Sequence, residues 1–202
     1  MTFTIFTVPG PNRWGATFGQ NDLQTILPQL VSDQATIVGF DFADVEIVNA
    51  SYLRATVMWL LHAGMLFVDM EEGRVRAAPA DLQPLNVIPV VMNVRGDVID
   101  DLTTMLNSEA LPLLHVDGPD RRTARCLGRL DPALRDTLGA LTSLESATAT
   151  MLCEQFPQRP LIKPPAWSNR LSDLHRLRLC TREREGRQWR YRSIVEGEVK
   201  FG

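Results

Sequence analysis

TIVGFDFADVEIVNASYLRATVMWLL, residues 36–61, is the stretch whose reading decides the fold. Ile37, Val38, Gly39 and Phe40 make a continuous apolar run of the length of a buried strand, and Asp41 and Asp44 end it. A second apolar run follows, and then Asn49 and Ser51 stand where a helix begins. A strand, a loop and a helix in this order leave the backbone N–H groups of Asn49, Ala50 and Ser51 at a helix start, a place suited to an anion or a partner's side chain. Ser51 reads as the N-cap.

Outward from this stretch the pattern repeats. Thr2–Val8 alternates polar and apolar residues among β-formers, and Pro9-Gly10-Pro11-Asn12 ends it in a turn, with Arg13–Phe18 as a candidate hairpin partner. Asn21 or Asp22 then caps a helix through Leu30, with Leu23, Ile26, Leu27 and Leu30 on one face and Pro28 set to shorten or kink it. Tyr52–His62 turns Leu53, Val57, Leu60 and Leu61 to one side and stops at Ala63-Gly64. Met65–Ala77 reads as a hairpin around Glu72-Gly73, and Pro79–Asn86 as a loop. Ile88–Val94 is another buried strand, Gly96-Asp97 opens a helix through Leu106, and Leu111–Val116 is a further strand. Strands alternating with helices predict a central mixed sheet with packed helices, an α/β domain over residues 1–118.

Asp117-Gly118-Pro119-Asp120-Arg121-Arg122 reads as a linker, because the charge changes sign across it. Residues 1–118 hold 5 Lys and Arg against 14 Asp and Glu, a formal −9, and residues 119–202 hold 16 against 10, a formal +6. The total of −3 conceals an acidic part and a basic part. A basic part of this kind points to nucleic acid.

The basic part, residues 119–202, reads as helix, helix, helix and hairpin. Asp131-Pro132 supplies an N-cap with proline at the first helical position, and Leu130, Leu134, Leu138 and Leu141 supply a stripe. Thr142-Ser143-Leu144-Glu145 matches a capping box, followed by Ala147, Met151, Leu152 and Phe156 at helical spacing. After a proline-rich connection, Trp167–Arg178 forms a third helix with Leu171, Leu174 and Leu177 inward. Thr181–Arg192 then folds back at Glu185-Gly186 as an arginine-rich hairpin.

Two resemblances follow from these residues. Asp41-Phe42-Ala43-Asp44-Val45-Glu46-Ile47-Val48-Asn49-Ala50-Ser51-Tyr52-Leu53 resembles the signature of STAS domains, and most closely that of bacterial STAS-like domains, which favour a Ser-aromatic pair where Ser51-Tyr52 stands. The resemblance covers about the first three fifths of the chain. It implies a non-enzymatic, partner-binding module of the anti-sigma-factor-antagonist kind, in some of which a kinase switches a serine. Here Ala50 holds the phospho-acceptor position and has no hydroxyl, which leaves Ser51 as the alternative. The segment Asn169–Arg192 resembles the recognition helix and wing of bacterial winged-helix regulators, which implies an α+β winged-helix domain over about the last 70 residues.

Composition excludes several classes. With 45% hydrophobic and 22% charged residues the chain is ordinary for a soluble globular protein, and no apolar run reaches the length of a membrane span. The segment MTFTIFTVPGPNRW lacks the pattern of a signal peptide, so the expected location is cytoplasmic. Cys126, Cys153 and Cys180, like His62, His115 and His175, are scattered, so neither a disulfide framework nor a metal site is expected. No GxGxxG, P-loop, HExxH or GxSxG occurs, and no cofactor or catalysis is expected. Trp14, Trp59 and Trp189 read as core residues.

The reading is a regulatory adaptor, most simply a transcriptional regulator, that binds double-stranded DNA. Asn169 and Arg170 have side chains able to pair with base edges, Ser168 lies beside them, and Lys163, Arg176, Arg184 and Arg187 suit phosphate. Asp41, Asn49 and Ser51 are the expected partner-binding or switch residues of the acidic domain, and a homodimer would suit a helix reading two half-sites. The rival reading is an interaction or assembly subunit that binds protein and no DNA.

Overall fold

The two apolar runs around Ile37–Phe40 and Ile88–Met92 are buried on both sides, as strands covered on both faces require. They are the centre of an α/β fold whose strands pair in both senses. The computed structural model describes residues 2–30, 36–63, 67–69, 74–76, 87–157 and 162–201. Among them no helix is long and apolar enough to cross a membrane. The expected hairpin tip at Glu71-Glu72-Gly73 and the expected loop 79–86 lie outside the described residues. The chain divides into two compact units, Met1–Met105 and Leu106–Gly202.

In the first unit β1 (Thr2–Thr7) lies parallel to β3 (Thr36–Asp41), which lies parallel to β7 (Val87–Met92). Parallel neighbours need crossovers, and helices supply them. One is α1 (Ala16–Leu30); after β3 come α2 (Ala50–Leu53), a π-helical turn (Arg54–Met58) and α3 (Trp59–Ala63); α4 (Gly96–Ser108) follows β7. The hairpin expected over 65–77 is present as β5 (Phe67–Asp69) paired with β6 (Arg74–Arg76).

Arg13–Phe18 is not the hairpin partner of β1. Asn12–Arg13 forms a short strand, β2, parallel to β4 (Ile47–Val48), and α1 begins at Ala16, well before the expected cap at Asn21 or Asp22. Gly15 turns the chain at φ +89°, where glycine meets no Cβ penalty, and its N–H donates to Asn49 Oδ1 at 3.0 Å. The long-range bond starts the helix early, and no local residue signals it. Pro28 lies inside α1 close to its end at Leu30. Gly19 brings α1 against the segment after β3: a Cβ there would stand 2.8 Å from the Ala55 Cβ and 3.0 Å from the Tyr52 carbonyl.

In the second unit β8 (Pro112–Val116) runs antiparallel to β9 (Thr123–Gly128), and the last strand, β13 (Glu198–Phe201), lies parallel to β9. Asp117–Arg122, read from the sequence as a linker, is the turn between two paired strands. The two compact units part at Met105 and Leu106. Arg121 closes that turn at φ +50° with its guanidinium donating to the Ile194 carbonyl at 3.0 Å and paired with Glu196.

Between β9 and β13 the order is α5 (Pro132–Ser143), β10 (Ser146–Ala147), α6 (Ala149–Gln155), α7 (Pro164–Arg176), β11 (Cys180–Glu185) and β12 (Gln188–Ser193). The three short strands form an antiparallel sheet in the order β10-β12-β11. Asp131 caps α5 as expected, its carboxylate accepting the Ala133 N–H at 2.8 Å with Pro132 in the first turn. Thr142–Glu145 is not a capping box, because α5 runs on through Ser143 and the Thr142 hydroxyl meets Ser193 Oγ at 3.2 Å. The cap of α6 is Thr148, whose Oγ1 accepts the Met151 N–H. Ala147 is drawn into β10 opposite Tyr191, which shifts the helix start downstream. Leu138, Leu141, Leu152, Trp167, Leu171, Leu174 and Tyr191 fill the core of this subdomain. Each such side chain contributes about 1.5–3 kcal/mol by leaving water.

Candidate nucleic-acid interface

α7 is anchored by one face. Trp167, Leu171 and Leu174 are buried at i, i+4 and i+7 spacing, and Trp167 packs on Phe156 with ring centroids 6.4 Å apart. At 3.6 residues per turn, Asn169 and Arg176 lie two turns apart along the opposite, outward line. Both are exposed. Asp173 is close to that line and pairs with Arg176 at 3.3 Å, so part of the Arg176 charge is compensated. Lys163 and Arg170 share one flank. Lys163 is exposed at the N-cap position, and the Arg170 guanidinium lies 5.9 Å from the Trp167 ring centre. Ser168, also exposed, occupies the other flank.

The helix ends at Leu177, and Arg178 adopts φ +61° to turn the chain into β11. The Arg178 side chain is buried, which lowers its pKa to about 10, so it stays charged at neutral pH. It is therefore no part of the exposed cationic face. His175 Nδ1 lies 3.2 Å from the Cys180 carbonyl, and since that oxygen only accepts, Nδ1 carries the proton. Burial, opposed by this bond and reinforced by Arg182 and Arg178, pushes the His175 pKa down to about 4.

This shift has a definite pH consequence. The unfolded chain takes up the His175 proton near pH 6.5 and the folded chain only near 4, so protons favour unfolding across that window. The His175 contribution is complete above about pH 6.5 and is lost as pH falls towards 4. Denaturant titrations of the full chain from pH 7 to 4 check this: stability declines through the window, and the decline is shallower in His175→Gln.

β11 and β12 close through a two-residue loop, Gly186-Arg187, with Gly186 at φ +59° as the first position of a type II′ turn requires. Alternation then divides the arginines between two faces. On one face Arg182 and Arg184 approach Trp189, with guanidinium carbons 4.4 Å and 5.1 Å from the ring centre. The base of that face, Cys180 and Tyr191, is buried. On the other face Glu183 stands opposite Arg190, and Arg190 makes two 2.9 Å bonds to Glu185. That face is internally neutralised. Arg184 Nε also donates to the Gly186 carbonyl at 3.2 Å, while Arg187 is exposed at the tip.

The sequence reading missed Arg182 and Trp189. Trp189 is 38% exposed, in contact with two guanidinium groups and not in the core. Counting by twos from the turn groups Arg182, Arg184 and Trp189 on the face of Tyr191, and the distance of Trp189 from the buried base of that face leaves it exposed. Trp14 and Trp59 are also exposed against expectation, at 59% and 42%, whereas Trp167 is fully buried.

In the first unit the expected switch residues serve separate joints. Asp41, at the end of β3, accepts the Asn93 side-chain amide at 2.7 Å and the Ala43 N–H at 3.0 Å, tying the ends of β3 and β7. Asn49 is the N-cap of α2: its Oδ1 accepts from Tyr52 N and from Gly15 N, both at 3.0 Å. Ser51 is therefore not the cap; it is exposed in the first turn, because Asn49 already occupies the capping geometry. Tyr52, buried, donates its hydroxyl to Asp22 at 2.7 Å, and Arg13 pairs with the same carboxylate at 3.2 Å. Burial and that carboxylate raise the Tyr52 pKa, so the phenol stays protonated.

Asn49→Ala removes an acceptor from two backbone N–H groups and is expected to cost about 2 kcal/mol. Ser51→Ala touches neither and is expected to change stability by less than about 0.5 kcal/mol. Chemical denaturation of the two variants side by side measures the difference.

No protein-family model matches the chain, and neither a curated protein nor a solved structure matches it.

Proposed function

We propose that the chain is a non-enzymatic regulatory adaptor in which the α5–β12 segment is a winged helix that binds double-stranded DNA, and the first unit is a STAS-like module that binds a protein partner. One observation carries the reading: a helix-strand-helix-helix-hairpin order with sheet order β10-β12-β11, whose third helix and hairpin leave Asn169, Arg176, Arg182, Arg184 and Arg187 at the surface. In this reading α7 enters the major groove, with Asn169 at a base edge and Arg170 and Ser168 on its flanks. Lys163, Arg176, Arg184 and Arg187 meet phosphates, and Arg182 joins them. The parallel β1-β3-β7 order and the capped helix start after β3 support the reading of the first unit.

The test is binding of the full chain to short duplexes, followed by fluorescence anisotropy. Affinity falls linearly with salt on logarithmic axes, and Asn169→Ala flattens the preference among sequences by about 1–3 kcal/mol while leaving the salt slope unchanged. Binding that is indifferent to salt removes the reading. The neutralised Glu183-Arg190-Glu185 face favours, for that side of the hairpin, a protein contact over DNA.

A further inference from the structure

The loops that follow β1 and β3 are knit together at the carboxyl end of these strands. The N–H groups of Glu46 and Ile47 donate to the Pro11 carbonyl at 2.8 Å and 2.9 Å, β2 pairs with β4, and Asn49 holds Gly15. In this pairing Arg13 is opposite Val48, which is buried, and Asn12 is opposite Ile47, which is 46% exposed. Alternation sends Trp14 to the same outward side as Ile47. Trp14 is 59% exposed, and Phe18, in the first turn of α1, is 48% exposed. Single exposed apolar residues are ordinary; three large ones on hydrogen-bonded neighbouring segments form a surface built for contact.

The exposed carboxylates before Ile47 lack a cationic partner among the described residues. They are Asp44 and Glu46, in the turn and bend leading into Ile47. The cation at hand, Arg13, is engaged with Asp22 at 3.2 Å and lies 5.5 Å from the Phe18 ring centre. The platform is also held stiffly, by Asn49 and by the Tyr52–Asp22 bond, so little order has to be gained on binding.

We propose that the Trp14–Phe18–Ile47 surface is the docking site of a basic segment of a partner protein, one that presents a bulky aliphatic or aromatic anchor flanked by Lys or Arg. This rests on the reading of the first unit as a partner-binding module and names the chemistry it selects. Trp14 is the anchor-facing residue, and Asp44 and Glu46 set the preference for positive charge.

A random peptide library displayed on phage and selected against the full chain tests this. The expected consensus is one bulky apolar residue with adjacent Lys or Arg. Synthetic copies of the selected peptides lose about 30-fold in affinity against Trp14→Ala and about tenfold against Glu46→Lys. Duplex binding by both variants and their melting temperatures stay unchanged. Peptides that bind equally well to Trp14→Ala would keep the first unit as a partner-binding module and overturn this surface. An acidic consensus, or a Trp14-dependent dimer in sedimentation, overturns it by naming another occupant. A selection that yields no consensus overturns the surface and the partner-binding reading together, and leaves duplex binding standing.

Discussion

Replacing Arg182, Arg184 and Arg187 together by alanine is expected to weaken duplex binding by the full chain on the order of 100-fold at low salt and to make its salt dependence shallower by about 3 on logarithmic axes. The three arginines differ in how they are held. Arg182 and Arg184 both lie against the Trp189 ring, so part of their rotamer freedom is gone before any ligand arrives. Arg187 extends from a two-residue turn with its side chain in solvent. A charge-assisted bond from an exposed arginine is worth about 1 kcal/mol after screening, and three such bonds give the stated loss. Trp189→Ala separates the two effects: it leaves the charge in place but removes the support, so affinity falls while the slope of about one per arginine is retained. Arg190→Ala is the internal control, since that guanidinium is already bound by Glu185.

The second large effect is on stability. Trp167→Ala is expected to destabilise the second unit by about 3–5 kcal/mol, the usual range for removing a large aromatic from a core. Trp167 is 1% exposed, packs on Phe156 and carries Arg170 on its ring, so its loss opens a cavity between α6 and α7 and frees an arginine at the proposed groove-facing helix. A domain of ordinary stability has only about 5–15 kcal/mol to lose. The expected result in denaturant is an early transition of the second unit, with duplex binding lost over the same range. Trp167→Phe keeps most of the volume and should retain both. A loss below about 1 kcal/mol for Trp167→Ala would mean that α7 is not anchored through this ring.

What could be read from the sequence was what local chemistry determines. The apolar runs of β3 and β7, the Asp131-Pro132 start of α5 and the Glu185-Gly186 turn each carry their signal within a few residues, and each element lies where it was expected. The start of α1 depends on Asn49, far away in the chain, reaching Gly15, and Thr17 and Phe18 taken alone suit a strand. Thr142 and Glu145 have the spacing of a capping box, but the pull of β10 towards Tyr191 moves the next helix start to Thr148. Composition alone also assigned the tryptophans wrongly, because an indole is apolar wherever it stands. Trp189 shares a face with buried Tyr191 and is exposed because it stands nearer the hairpin turn, and Trp14 follows directly on the short strand β2. For the candidate interface, Lys163, Ser168, Asn169, Arg170, Arg176, Arg184 and Arg187 were legible as residue types. The division of the hairpin into a cationic face with Arg182 and a neutralised face with Arg190 required the register.

The chain has four tryptophans, and they stand at separate places: Trp167 buried, Trp189 on the hairpin, Trp14 and Trp59 exposed on the first unit. Their indole N–H signals in a two-dimensional NMR spectrum of the full chain therefore report directly where duplex DNA is held. On titration with a short duplex, the Trp189 signal is predicted to move progressively while those of Trp14 and Trp59 stay in place. A spectrum in which Trp189 stays fixed at saturating duplex, or in which Trp14 or Trp59 moves in its stead, would contradict the assignment of DNA binding to α7 and the β11–β12 hairpin.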